Sequence, residues 1–288
     1  MNAVYLVETS GGRLSLRGHR KADRRAVEFE HDLMDAARSA GLPAPIALTT
    51  LQGDRIVNED GRWWSLLVWI EGEQPQRGHH TLEQAHSMGE MLGLVHEALA
   101  AVRPMRTEAP MVETTADTVR RADELLALIE GLSNPGDDEA LAIQWLRAQR
   151  DWLQSHLEDA PPPAGTVQTI HGDYHDANLV FQGADVVGVL DWDKGIGARP
   201  LEEVVRAMHL SRLTPDQCAA FLRGYRGQRP VTADELDAAA ASYGFQRDRS
   251  LWLFDELYRQ GNDRLRQLLN PDPFLPFEVI WDSMQRSV

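Results

Sequence analysis

Cysteine is almost missing: Cys218 is the only one in 288 residues. No intramolecular disulfide and no cysteine-built zinc site can therefore form, and Cys218 reads as a small apolar side chain on a helix. Also missing is any apolar run of about 18 residues, the length needed to cross a bilayer. The opening segment MNAVYLVETSGGR has neither the basic start nor the long apolar stretch of a secretory signal, so a cytoplasmic protein is expected. Basic residues are scarce relative to acidic ones, 29 against 44, for a net charge of −15. Through Glu71 the balance is 9 against 10, whereas the remainder holds 20 against 34. Such a surface repels nucleic acid and anionic membranes and attracts cations. Neither nucleic acid nor membrane is an expected partner; the acidity fits either general solubility or a cationic small-molecule substrate.

What is present is an ordinary globular composition, with 43% hydrophobic and 25% charged residues, and length for one large or two modest domains. Val4–Glu8 and Arg13–Arg17 read as strands joined by a Ser10-Gly11-Gly12 turn. A helical pattern follows from about Ala22 to Ala40, stopped by Gly41 and Pro43. Arg55–Asn58 and Arg62–Ile70 read as a second hairpin over Asp60-Gly61. After Glu71 the pattern changes to helices over roughly 81–101, 114–131 and 137–158, with several more between 214 and 287. Short strands interrupt them at Val167–His171, Leu179–Phe181 and Val186–Leu190, and Pro161-Pro162-Pro163 reads as a stiff loop. An α+β chain is expected, with a strand-rich part over 1–71 and a helical part over 72–288.

The most informative stretch is HGDYHDANLVF at 171–181, followed by DWDK at 191–194. Phosphoryl transfer asks a protein to hold phosphates, to place a divalent cation, and to aim an acceptor hydroxyl in line. An aspartate at the nucleophile, an asparagine five residues on, and a second aspartate after a strand pair meet those needs. Asp173, Asn178 and Asp191 have that order and spacing. A zinc pair of His171 and His175 is the rival. It is disfavoured because the preceding segment is strand-like and no HExxH pattern occurs.

These motifs resemble the aminoglycoside phosphotransferase/choline kinase-like family, which shares the protein-kinase-like fold. GGRLSLR, FEHDLMDAARSAGLPAP, LLVWIEGEQP, GEMLGLVHEAL and RPLEEVVRAM extend the resemblance over nearly the whole chain. It implies a small antiparallel-sheet N-terminal lobe that binds nucleotide and a larger helical C-terminal lobe carrying the catalytic loop and acceptor site. Asp173 is then the catalytic aspartate, and Asn178 and Asp191 hold Mg²⁺. Arg17 takes the place of the phosphate-contacting lysine. Glu30, with Glu28 as competitor, is its acidic partner. The backbone of Val68, Trp69 and Ile70 would meet the adenine of ATP, with GTP as an alternative donor.

In supporting positions the resemblance places His171, Asp193 and Glu203; His96 reads as packing and Lys194 as solvated. His175, Asp255, Glu256 and Asp263 are candidates for binding the acceptor. That acceptor is a small hydroxyl compound, cationic and aminoglycoside- or antibiotic-like, which would make the chain a resistance enzyme. One departure stands out: Met1-Asn2-Ala3-Val4 falls where the family's first strand and glycine loop should already be ending, so that strand and loop are expected to be lacking. A nucleotide-binding pseudokinase is the alternative. A protein kinase is disfavoured, because only eleven residues separate Asp191 from Glu203.

Overall fold

The computed structural model describes residues 2–20, 23–108, 114–157, 161, 165–269, 272 and 274–285. Ala22, Pro162 and Pro163, named above, lie outside that set. The chain divides into two compact units. One comprises residues up to Glu108, Gly165–Leu236 and Met284 onward; the other takes residues 109–164 and 237–283.

In the first unit, β1 (Ala3–Thr9), β2 (Gly12–Gly18), β3 (Val57–Glu59) and β4 (Arg62–Val68) form an antiparallel sheet in the order β1-β2-β4-β3. The second hairpin turns on Asp60 and Gly61, whose φ angles of 50° and 76° are the paired positive values of a tight two-residue turn. Its first strand starts later than expected, at Val57 instead of Arg55. Helix α1 (Arg24–Ser39) is capped by Asp23, whose side chain accepts from the Arg25 amide. Its buried face carries Val27, Glu30, Met34 and Ala37, the three-and-four spacing of a helix against a core. Each fully buried large apolar side chain contributes about 1.5–3 kcal/mol, so this stripe fixes the rotation of α1 and aims Glu30 inward.

Helix α2 (Leu82–Leu99) opens with a capping box between Thr81 and Gln84. Ala85, Met88, Leu92, Val95 and Leu99 are wholly buried. Glycines at Gly89 and Gly224 let α2 approach the backbone of α6 (Pro215–Gln228) closely. Between these helices in sequence lie β5 (Gln168–Ile170), β6 (Leu179–Gln182), β7 (Asp185–Val189), β8 (Ile196–Ala198) and α5 (Pro200–Leu210). β6 pairs with β7, and β5 pairs with β8, both antiparallel. Strand β8 was not anticipated, since Ile-Gly-Ala carries no alternating β-branched pattern.

The second unit contains α3 (Thr115–Glu130) and α4 (Asp137–Ser155). Leu125, Leu126, Ile129 and Leu146 from these helices share one cluster with Leu251 and Phe254. Most of α7 (Ala233–Asp248), the short α8 (Trp252–Phe254) running into a π turn at Asp255–Arg259, and most of α9 (Phe277–Gln285) complete it. Among the described residues, no helix is long and apolar enough to cross a membrane.

Candidate active site

The loop after β5 is held from three sides. His171 is fully buried; its Nε2 donates to the Leu190 carbonyl at 2.9 Å and its Nδ1 accepts from the Asp173 amide at 3.2 Å. Both nitrogens are thus spent in a neutral ring, and burial pulls its pKa below the ordinary value. That arrangement leaves no lone pair for zinc. Gly172 has φ 82°, and a Cβ there would stand 2.3 Å from the Lys194 carbonyl oxygen, so glycine alone fits. Its amide donates to Glu203 Oε1 at 2.5 Å. The other Glu203 oxygen lies 3.0 Å from His96 Nε2, and His96 Nδ1 lies 3.0 Å from the Tyr225 hydroxyl. Burial pushes the Glu203 carboxyl up, but His96, His171 and Arg206 together bring the net shift downward. His96 is therefore buried and bonded at both nitrogens.

Asp173 emerges from this scaffold partly exposed. Its carbonyl accepts from Asn178 Nδ2 at 2.7 Å, and its Oδ1 accepts from Arg206 Nη2 at 2.8 Å. Arg206 Nη1 also donates to the Gly172 carbonyl. His175 Nε2 lies 3.9 Å from the same Oδ1, leaving Oδ2 for another group. Asn178 turns its amide nitrogen to the loop, so its Oδ1 is the atom available for a ligand.

Arg17, on β2, is buried and reaches three acids. It pairs with Asp191, its Nε lies 3.4 Å from Glu30 Oε1, and its Nη2 lies 4.0 Å from Asp193 Oδ2. Burial would lower the guanidinium pKa, but Glu30 and Asp191 raise it overall. Burial likewise opposes ionisation of Glu30, yet His19 and Arg17 bring its carboxyl below the ordinary range. Glu28 instead pairs with Arg24 at 2.8 Å on the exposed face. Asp191 adopts φ 62° and ψ 54°, a left-handed conformation that costs a non-glycine residue roughly 1–2 kcal/mol.

A cavity of about 300 Å³ gathers Arg17, Glu30, Val68, Trp69, Ile70, Asn178 and Asp191. Its apolar lining includes Met34, Leu67, Val180 and Leu190, suited to a flat base. In the segment at 68–70, the Val68 amide donates to the Ile46 carbonyl and the Trp69 amide to the Arg13 carbonyl. The Ile70 amide remains as the donor without a backbone partner among the described residues. Asn178 and Asp191 offer hard oxygen atoms, the donor chemistry of Mg²⁺. No group of three or more His, Cys, Asp or Glu among the described residues could hold a metal.

The remaining expected residues have polar partners of their own. Asp193 accepts from Asn2 Nδ2 at 3.1 Å. His175 turns its Nδ1 to Asp176 at 3.4 Å. In the second unit Asp255 pairs with Arg121, Glu256 accepts from Asn262 at 3.0 Å, and Asp263 pairs with Arg266 at 3.0 Å. Burial pushes the Cys218 thiol up to about 12. Two site residues escaped the sequence reading. Arg206 stands one helical turn after Glu203 on α5, a spacing that could have revealed it. Asp176, which was not singled out within the motif, is a buried carboxylate facing His80 at 3.3 Å and Arg77 at 3.4 Å.

Fold and site together define a protein-kinase-like, ATP-dependent phosphotransferase acting on a hydroxyl group of a small molecule. The chain belongs to the phosphotransferase enzyme family, whose family model matches residues 1–241. A homoserine kinase of Pseudomonas aeruginosa is 25% identical over 248 residues, 82% of this chain and 72% of that protein. An aminoglycoside phosphotransferase of Alicyclobacillus acidocaldarius superposes with TM-score 0.67 at 12% identity, over 100% of this chain and 90% of that one. A microcompartment-associated aminopropanol kinase gives 0.61 at 18% identity, over 100% and 92%. The two structures share the fold.

Proposed function

We propose that the chain transfers the γ-phosphoryl group of ATP to the hydroxyl of a small amino alcohol or hydroxy amino acid. The observation that carries the reading is the triply held loop that leaves Asp173 Oδ2 open in the segment that also carries Asn178. Asp173 Oδ2 takes the hydroxyl proton as the acceptor oxygen bonds to the γ-phosphorus, and the bond to the β–γ bridging oxygen breaks to release ADP. Arg17, steadied by Glu30, contacts the phosphates, and the Ile70 amide pairs with the adenine edge. Asn178 and Asp191 would hold Mg²⁺, which when bound neutralises phosphate charge. His171 and Glu203 keep the loop in shape.

The homoserine kinase relatives and the aminopropanol kinase fold support a compact amino-bearing acceptor over an aminoglycoside, and such an acceptor also suits a chain of net charge −15. A role in antibiotic resistance is correspondingly disfavoured. A cytoplasmic setting, where ATP is available, accompanies this reading. The test is ADP release with homoserine, 1-amino-2-propanol, ethanolamine, choline, kanamycin and spectinomycin, with ATP or GTP as donor. Turnover with a compact amino alcohol, abolished in Asp173→Ala, is expected. Turnover confined to kanamycin or spectinomycin would reject the acceptor class, and silence throughout would reject the kinase.

A further inference from the structure

Behind Arg17 runs a line of polar side chains cut off from water. Glu30, His19, Ser65 and His31 are each exposed by 2% or less. Ser65 is the cross-strand partner of Arg17 in the β2–β4 ladder. His19 stands two residues beyond Arg17 along the same chain. Glu30 and His31 are neighbours on α1. Glu30 Oε2 lies 3.4 Å from His19 Nδ1. His19 Nε2 lies 2.5 Å from the Ser65 hydroxyl, and that hydroxyl lies 3.0 Å from His31 Nε2.

Proton counting gives the line a direction. A serine hydroxyl donates once, so it can donate to only one of the two rings. His19 Nδ1 faces a carboxylate and must carry a proton. His31 Nδ1 has no partner, and a buried N–H without an acceptor is more costly than an unused lone pair. His31 therefore donates from Nε2 to Ser65, Ser65 donates to His19 Nε2, and His19 keeps its proton on Nδ1, turned toward Glu30 Oε2 at 3.4 Å in an ion-pair-range contact longer than a formed hydrogen bond. Burial, the largest influence on His31, pulls its pKa down to about 4, in keeping with a neutral ring.

We propose that His19, Ser65 and His31 are positioning residues for nucleotide phosphates, a one-way donor relay that fixes Glu30 and through it Arg17. Arg17 is claimed from two sides, by Glu30 and by Asp191. A cation bound at Asp191 would weaken its hold on Arg17, and Glu30 would then be the anchor. A carboxylate held at Oε2 by His19 presents Oε1 to Arg17 in one orientation. The relay thus sets affinity for phosphates and leaves the base-binding surface alone. This rests on Arg17 being the phosphate-contacting cation.

The experiment compares ATP and adenosine affinities by calorimetry on the full chain, with Arg17→Met, His19→Leu, His19→Asn and Ser65→Ala. Loss of the polar contact between His19 and the Glu30 carboxylate is expected to weaken ATP binding by up to about tenfold in His19→Leu. Ser65→Ala should act in the same direction, with adenosine affinity unchanged in both. His19→Asn, which restores a donor near the Nδ1 position, should recover most of the loss. If Arg17→Met lowers the ATP-to-adenosine ratio while His19→Leu and Ser65→Ala do not, the relay is overturned and the Arg17 reading survives. An unchanged ratio in Arg17→Met overturns both. Equal losses for ATP and adenosine in His19→Leu and Ser65→Ala overturn the relay by showing a collapsed pocket.

Discussion

Arg206 holds one carboxylate oxygen of Asp173 at 2.8 Å and reaches the Gly172 carbonyl with its other terminal nitrogen. One planar guanidinium thus fixes both the main chain before Asp173 and the orientation of its side chain. On the proposed reading, which oxygen meets the acceptor hydroxyl is decided by a residue outside the 171–181 motif.

Replacing that fork tests its role. Arg206→Ala frees the Asp173 carboxylate to rotate, and misplacement of a reacting group by about 1 Å can cost on the order of 100-fold in rate. We expect kcat to fall by about 10- to 100-fold with KM for ATP little changed. Arg206→Lys should recover only part, because an ammonium cannot bridge the two acceptors in one plane. Steady-state kinetics with ATP varied decides it; an unaltered kcat would show Arg206 to be a surface ion pair.

At the side proposed to hold the cation, Asp191→Asn keeps size and removes charge. Turnover should drop by at least about 100-fold, and the Mg²⁺ concentration for half-maximal rate should rise. The substitution also leaves Arg17 with Glu30 as its strongest partner, so nucleotide affinity measured without metal should change little. Chelation of divalent ions should silence the wild-type chain. Full activity in excess chelator would remove Asn178 and Asp191 from the metal role.

The loop half of this candidate site was readable as a cluster because it is local. Asp173, Asn178 and Asp191 are spaced by a loop and a hairpin, and spacing is what a sequence displays. Arg17 with Glu30 was also legible, as a strand followed by an amphipathic helix whose buried stripe includes the acid. What stayed hidden is held by long-range contacts: Arg206 on Asp173, His80 on Asp176, Ser65 between two histidines. Nothing in the spacing of residues 19, 31 and 65 announces that they meet. The acids at 255, 256 and 263 are ambiguous for the opposite reason, since a helix face rich in charge looks the same in sequence whether its partners are a substrate or neighbouring side chains.

Buried histidine gives the protein an acid limit. The His31 imidazole is lowered from 6.5 to about 4, by burial first. Above pH 6.5 both folded and unfolded states hold it neutral and it has no effect. As pH falls from 6.5 towards 4, the unfolded chain takes up a proton that the folded chain refuses, and stability falls by at most about 1.4 kcal/mol per pH unit. His171, also lowered by burial, acts in the same sense. Glu108 and Asp248, raised by burial, oppose it. Thermal melts at pH 7.5, 6 and 5 should show a declining midpoint, with a shallower decline in His31→Gln. Equal slopes for the two proteins would mean that His31 titrates normally.

Two glycines three residues apart on α6 separate packing from propensity. A Cβ on Gly224 would stand 2.1 Å from the His86 carbonyl oxygen of α2, whereas one on Gly227 meets nothing within 4 Å. Both residues sit in the same helix, so alanine offers each the same gain in helix propensity, up to about 1 kcal/mol. At Gly227, which is exposed, that gain stands alone, and Gly227→Ala should raise the melting temperature by roughly 1–3 °C. At position 224 the backbones of α2 and α6 must part, and overpacking of this kind costs about 1–3 kcal/mol or more. Gly224→Ala should therefore lower the melting temperature by roughly 3–10 °C. Because α2 carries His96 and α6 carries Tyr225, the same shift should loosen the Glu203 brace and reduce kcat. A Gly224→Ala protein that melts like Gly227→Ala would place the α2–α6 approach farther apart than 2.1 Å implies.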